Sequence, residues 1–406
     1  MEFLFIDGEE ICIYKDGEIS EYKSVFIEKY KDATLRSIKS SEWRKKSRTE
    51  MLLNEYYSFD DEDEFKVKIN SAWLVNDKTE ILYSFTVNET SGIYKKYLNE
   101  ENKTEAHVIS SSELEFSSIY YYDYGVVASI NKNQITSDIA VFSKDLSDYK
   151  LVTSGDSLDE NPYLHTDGKI YFNSYGVARD EVGNCLGYDS SEIYSLDVKT
   201  MEIKEIVNNR KYSLVKPVPY RNGLLMIKKP TETEEKSNIF LDILMIPVRI
   251  LQGIVGFISA FVTFFSGKPL VSDGGSSNGY TRSKNLKTDE KRLFVLNNFL
   301  NVEKEMKKNK RDRFPSFIPK SWKLILLKNI ETEDNIIQQT YLSGIADYCV
   351  LDENNIIATN GKYVFLIKDE EKNYKVKALF KTSCCLKVFP VPEKGKSFNE
   401  ELFKFL

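Results

Sequence analysis

The chain has 406 residues, room for two or three ordinary domains or one large repeat array. Hydrophobic residues make up 41% and charged ones 29%, which excludes a globally disordered chain and supports a sizeable core. The net charge of −6 argues against general nucleic-acid binding, and 25 Tyr with 24 Phe against only 19 Gly and 10 Pro favours strands.

The charge is unevenly placed. Residues 282–323 hold 13 Lys/Arg against 5 Asp/Glu, so this stretch is basic and the rest of the chain acidic. Such asymmetry suits an anionic partner for that stretch or a solvated charged insertion. The five cysteines (Cys12, Cys185, Cys349, Cys384, Cys385) are odd in number and scattered, so no disulfide framework is expected. Adjacent Cys384 and Cys385 lack the two-residue spacer of a metal or redox motif. The opening Met-Glu-Phe-Leu-Phe-Ile-Asp-Gly carries an acid where a signal peptide needs bases, giving a cytoplasmic expectation.

In chain order, Asp7-Gly8 and Asp16-Gly17 separate three short apolar segments, the pattern of a three-stranded meander over residues 2–22. Beyond it, an apolar second strand recurs at Ile81, Val126, Ile170, Leu224 and Ile356. The first intervals are about 45 to 54 residues, the length of a four-stranded propeller blade. The last interval falls to one blade if residues 230–320 are an insertion. Five such units plus the N-terminal meander, completed by a strand from Cys385 to Val391, predict an all-β, six-bladed β-propeller closed by pairing of its N- and C-terminal strands. Residues 1–229 and 321–406 would form one discontinuous propeller domain, with a helical insertion, 230–320, in the fifth blade. Two β-sandwiches are the structural alternative.

One blade carries a family resemblance. Residues 159–174 read Asp-Glu-Asn-Pro-Tyr-Leu-His-Thr-Asp-Gly-Lys-Ile-Tyr-Phe-Asn-Ser, followed after a long loop by Glu-Ile-Tyr-Ser-Leu-Asp. This resembles the TolB-type propeller repeat, with Tyr163 where that repeat usually has Trp and Thr166 where it has Pro. The resemblance implies a fold rather than an activity, because the family includes secretion-system components, lipoproteins and peptidase propellers.

Three long excursions, residues 23–64, 175–191 and 230–320, fall at connections that emerge on one face of such a disc, where binding is expected. The first should contain a helix over Glu42–Tyr57 and ends in an acidic run, Asp60 to Glu64, read as a solvated turn. In the third, Ile239 to Phe265 is mostly apolar and interrupted by Pro247, so a helix of about 27 Å is expected over residues 248–265. A single membrane crossing is excluded by topology, since sheets on both sides of the insertion belong to one disc. A second helix is expected from Thr288 to about Asn309, apolar through Leu293, Leu296, Leu300, Val302 and Met306 and basic at its end. An apolar helix followed by a basic one suits contact with an anionic membrane surface, through Ile250, Ile254, Phe257, Phe261 and Phe264 and then Lys307, Lys308, Lys310, Arg311 and Arg313. The same residues would serve a protein partner, or pack within the chain. Peripheral contact with the inner face of a membrane therefore joins the cytoplasmic expectation.

Only His107 and His165 are available for metal binding, and no nucleophile elbow or phosphate loop occurs, so no catalytic, metal or cofactor residues are assigned. The expected function is a non-catalytic binding or scaffold module. Its alternative is a carbohydrate-active or other hydrolytic propeller using carboxylates such as Asp123, Asp159 or Asp347.

Overall fold

The computed structural model describes residues 1–33, 36, 67–75, 77–87, 90–98, 105–122, 125–132, 135–143, 146–231, 292–328, 337–370 and 373–392. The protein is all-β. The chain divides into two compact units, Met1–Lys229 with Lys291–Leu406, and Pro230–Glu290. All that follows concerns the first. Residues 248–265, including Ile250, Ile254, Phe257, Phe261 and Phe264, lie outside the described residues, as do the expected helix over 42–57, the acidic run 60–64 and Asp123.

Strands β1 (Glu2–Asp7), β2 (Glu10–Lys15) and β3 (Glu18–Tyr22) form an antiparallel meander turning at Asp7-Gly8 and Asp16-Gly17. Gly8 and Gly17 have φ of +65° and +107°, the left-handed region that glycine enters without a Cβ penalty. Five further meanders follow. The first comprises β4 (Val67–Val75), β5 (Glu80–Val87), β6 (Thr90–Tyr97) and β7 (Glu105–Ser111). The next holds β8 (Glu115–Tyr122), β9 (Gly125–Asn131), β10 (Ser137–Phe142) and β11 (Tyr149–Leu151). Then come β12 (Ser157–Leu164), β13 (Lys169–Arg179), β14 (Cys185–Asp197) and β15 (Ile203–Val207). The fourth pairs β16 (Tyr212–Tyr220) and β17 (Gly223–Pro230) with β20 (Lys323–Lys328) and β21 (Ile337–Ser343). Between them lies a separate hairpin, β18 (Arg292–Val295) and β19 (Asn298–Asn301).

The last meander is β22 (Asp347–Val350), β23 (Asn355–Thr359), β24 (Gly361–Asp369) and the first half of the long β25 (Tyr374–Pro390). The second half of β25 crosses to the start of the chain and pairs antiparallel with β1, Phe3 opposite Pro390 and Phe5 opposite Val388. Asp7 fixes the crossover: its carboxylate accepts from the backbone N–H groups of Ser383 and Cys384 at 3.0 and 2.6 Å and from Ser383 Oγ at 2.6 Å.

The strands β4, β8, β12, β16, β22 and the end of β25 are each the first strand of their meander. Their backbones are interrupted at matching places. Register shifts fall between Ile69 and Ser71, Phe116 and Ser118, and Glu160 and Tyr163, and Asn161 and Lys216 have φ of 52° and 56°. A bulge leaves an N–H without a ladder partner. Neighbouring meanders take up the freed groups. Ser71 Oγ accepts from Ile119 N at 2.9 Å, Ser118 Oγ from Asn161 N at 3.2 Å, Asn173 Oδ1 from Lys216 N at 3.0 Å, and Asp347 Oδ2 from Val388 N at 2.9 Å. Tyr348, fully buried, donates its hydroxyl toward the carbonyls of Lys216 and Leu225 at 2.5 and 2.7 Å. Apolar clusters between the sheets supply the remaining cohesion, the largest spanning Leu4, Trp73, Phe85, Phe116 and Phe389.

The expected helix from Thr288 to Asn309 is corrected by the structure. Residues 292–301 are the β18–β19 hairpin, and only Val302–Lys308 is helical. Leu293, Leu296 and Leu300 fit helical spacing, but Leu296 and Asn297 have φ of 46° and 61°, the two-residue turn that joins twisted strands. The short helix starts at Asn301, whose side chain accepts from Lys304 N at 2.9 Å. Leu293, Val302 and Met306 pack against Phe317, Ile318, Trp322 and Ala346. Residues 292–320, expected within the insertion, thus belong to the unit that contains the sheets. Phe317 sits against Gly361 (φ +88°), where any Cβ would collide with its ring.

Residues 25–33 form a helix that follows β3. Ser24 Oγ accepts from Ile27 N at 3.1 Å, and Glu105 from β7 accepts from Val25 N and Phe26 N at 3.0 and 2.8 Å. A nearly buried carboxylate therefore fills the helix N-terminus from another sheet. Glu105→Ala should cost about 1–2 kcal/mol in urea unfolding. An unchanged midpoint would mean that other contacts hold this helix.

Candidate functional site

The C-terminal ends of these six first strands, termed inner strands because they line it, meet at a cavity of about 870 Å3. An aromatic side chain stands near the end of every one of them: Trp73, Tyr120, Tyr163, Tyr220, Tyr348 and Phe389. Four form a chain around the wall, with ring centroids 5.9 Å apart for Phe389 and Trp73, 5.2 Å for Trp73 and Tyr120, and 4.7 Å for Tyr120 and Tyr163. Their polar ends are tied back: Trp73 Nε1 donates to Ile119 O at 2.8 Å, and Tyr220 Oη to Glu353 O at 2.8 Å. Burial pushes the Tyr220 hydroxyl up to about 12, and pushes Tyr120 and Tyr348 upward as well. These groups stay neutral at physiological pH. They present fixed apolar faces, and the volume falls within the roughly 300–1,000 Å3 that small-molecule sites occupy in proteins generally.

The cavity lies away from the long β13–β14 extension. Val177 N donates to Asp156 O, which places that extension beside the N-terminal end of β12, whereas the cavity takes Asn161 to Thr166 at its other end. The cavity opens among short turns, where the aromatic side chains near the inner strands' C-terminal ends build it.

Three cationic side chains reach the cavity. Lys216 donates to Asp347 Oδ1 at 2.5 Å, and its ammonium also lies 5.5 Å from the centre of the Tyr348 ring and 6.0 Å from that of Phe389. Arg221 lies 3.7 Å from Asp369 and donates to the carbonyls of Glu353 and Asp369 at 3.1 and 2.6 Å. Lys387, on β25, has no ion-pair or hydrogen-bond partner for its ammonium among the described residues. Burial lowers its pKa from the ordinary 10.5, as do Lys216 and Lys68, while Asp347 and Glu160 oppose the shift. Stability should rise as pH climbs from the lowered pKa toward 10.5 and then level off.

Of the carboxylates considered for hydrolysis, the two among the described residues, Asp159 and Asp347, are occupied elsewhere. Asp159, buried, accepts from Ser174 Oγ at 2.6 Å, and burial raises its pKa. Asp347 is held by Lys216 and the Val388 N–H. His107, on β7, meets Ser110 Oγ at 2.9 Å, and His165 Nδ1 stands 3.0 Å from Asp167 at the cavity edge. Among the described residues no His, Cys, Asp and Glu cluster could hold a metal ion.

Of the basic residues expected at the membrane or partner surface, Lys307 and Lys308 lie on the short helix. They pair with Glu303 at 3.5 Å and Glu305 at 2.5 Å. Lys310, Arg311 and Arg313 follow it, Arg313 stacking on Phe314 at 5.2 Å. Asp312 beside them pairs with Lys320. The β18–β19 hairpin places Phe294 and Phe299 together on its outer side, ring centroids 4.9 Å apart and 49% and 73% exposed. At its turn, Asn297 Nδ2 donates to Glu160 at 2.9 Å, and the buried Lys229 ammonium donates to Leu296 O and to Asn298 Oδ1, the latter at 2.6 Å. The sequence does not single out the cavity residues, since each reads by itself as an ordinary strand aromatic.

No family model matches the chain, and no curated protein matches it. Among solved structures it is similar to TolB from Acinetobacter baumannii, at 9% identity and a TM-score of 0.46, over 96% of this chain and 66% of that one. It is also similar to the tricorn protease, at 10% identity and a TM-score of 0.38, over 93% of this chain and 35% of that one. An oligogalacturonate lyase in complex with manganese aligns at 13% identity and a TM-score of 0.33, over 58% of this chain and 59% of that one. The chain thus spans less than two thirds of the length of each.

Proposed function

We propose that the chain is a six-bladed, TolB-like β-propeller closed by its terminal strands, and that it works as a non-catalytic binding module with its ligand site in the central cavity. The blade count rests on the four-stranded meanders and the side-chain bonds between successive inner strands; closure rests on the pairing of β1 with the end of β25. The observation that carries the binding reading is the cavity, walled by one aromatic from each inner strand. A neutral aromatic probe, N-phenyl-1-naphthylamine, should bind saturably at one site. Val350→Trp, which fills the cavity at the end of β22, should weaken that binding at least tenfold while the protein still melts cooperatively. Probe binding indifferent to Val350→Trp would remove the cavity from the function.

The second element of the proposal is docking of residues 239–313 on an anionic membrane surface from the cytoplasmic side. Exposed Phe294 and Phe299 beside a segment of net positive charge favour it. Apolar burial of Phe257 and Phe261 would contribute roughly 1.5–3 kcal/mol each. Bases near an acidic leaflet would add on the order of 1 kcal/mol each, an effect weakened by salt. Phe257→Asp with Phe261→Asp should abolish sedimentation with acidic liposomes at any ionic strength. Neutralising Lys310, Arg311 and Arg313 should remove mainly the part that depends on anionic lipid. A protein that ignores acidic liposomes at low salt, yet forms an oligomer that the Phe→Asp pair dissociates, would mean that the segment is a protein interface.

A further inference from the structure

We propose that the central cavity selects ligands that carry an oxyanion (carboxylate, sulfonate or phosphate) on a planar apolar body, with the Lys387 ammonium as the counter-charge. The inference rests on reading the cavity as a binding site, and it adds the class of ligand. Of the cations that reach the cavity, Lys216 is engaged by Asp347 and Arg221 by Asp369 and two backbone carbonyls. Lys387 alone lacks a carboxylate or carbonyl partner among the described residues. It stands on an otherwise apolar strand, Cys384 to Val391, between Leu386 and Val388.

The two acids whose charges act on Lys387 are already committed. Asp347 accepts from both Lys216 and the Val388 N–H, and Glu160 accepts from Asn297. Asp352, at the rim, turns its carboxylate to Asn354 N and Asn355 Nδ2 of its own turn. A half-buried ammonium without a partner destabilises the fold. A ligand oxyanion would complete the site with a charge-assisted bond in a poorly hydrated setting, where such bonds are strongest. The aromatic wall beside it, from Phe389 through Trp73 to Tyr120 and Tyr163, would take a planar apolar body by stacking.

The test compares two probes that differ by one sulfonate, 8-anilino-1-naphthalenesulfonate and N-phenyl-1-naphthylamine. The sulfonate probe should bind roughly tenfold more tightly at low ionic strength, the worth of one charge-assisted contact. Lys387→Met should erase that preference and leave the neutral probe unchanged, Lys387→Arg should retain it, and Val350→Trp should weaken both probes. Lys387→Met should also melt higher than the parent protein, which separates loss of a ligand contact from loss of folding. Equal affinity for the two probes, or a preference that survives Lys387→Met, would overturn the anionic class and leave the cavity reading standing. Failure of both probes to bind, or indifference of both to Val350→Trp, would instead overturn the cavity reading itself.

Discussion

Removing the chain from Ser383 onward should convert a cooperatively folding protein into an aggregating one. The deletion takes away the second half of β25, the only described strand on that side of β1. It also removes Cys385 and Val388, both fully buried, and Phe389, 6% exposed, which belong to two different apolar clusters. Burial of Val388 and Phe389 alone is worth roughly 1.5–3 kcal/mol each, against a total stability of about 5–15 kcal/mol for a typical domain. Phe3 and Phe5 would lose cover, and β1 would offer a bare edge of unpaired N–H and C=O groups, a template for association between chains. Loss of the cooperative melt, with soluble aggregates in size-exclusion chromatography, is the expected result. A monomeric truncated protein with the parent's melting curve would show that the paired termini are dispensable. Supplying residues 383–406 as a separate peptide should partly restore the melt.

The strands were legible because their signals are local. Ile81, Val126, Ile170, Leu224 and Ile356 open apolar runs that cannot be accommodated at a surface, and each lies in the second strand of its meander. The β18–β19 hairpin was not legible, since Leu293, Leu296 and Leu300 satisfy both helical spacing and a hairpin with apolar cross-strand pairs. What decides between them is the left-handed backbone at Leu296 and Asn297, favoured when the turn fastens to Lys229 and Glu160 from distant strands. No window of sequence contains those partners. The cavity was missed for a similar reason. Tyr120, Tyr163, Tyr220 and Tyr348 read as ordinary strand aromatics until the inner strands lie side by side. Lys387 reads as one more base until its surroundings show Asp347 and Glu160, the acids whose charges act on it, bonded to other groups.

Asp347→Leu should be among the most damaging single substitutions, because Asp347 joins three meanders through one carboxylate. It accepts from Lys216 Nζ on β16 and from Val388 N on β25 while itself standing on β22, with 1% of its side chain exposed. Leucine would leave Lys216 charged, largely buried and unpaired, and the Val388 N–H without an acceptor. Breaking a buried pair by removing one partner costs about 3–5 kcal/mol. Asp347→Asn should cost less, since the amide oxygen can still accept one of the two bonds. The charge argument is isolated by pairing Asp347→Leu with Lys216→Met. Methionine keeps an apolar stem of similar length and removes the ammonium that leucine strands. The double variant should therefore recover more than about 1 kcal/mol relative to the sum of the two single losses, as expected for residues in one network. Urea unfolding of the four proteins reads this directly. Additive losses would show that the Lys216–Asp347 pair carries no coupling, and that the seam depends only on the backbone bond to Val388.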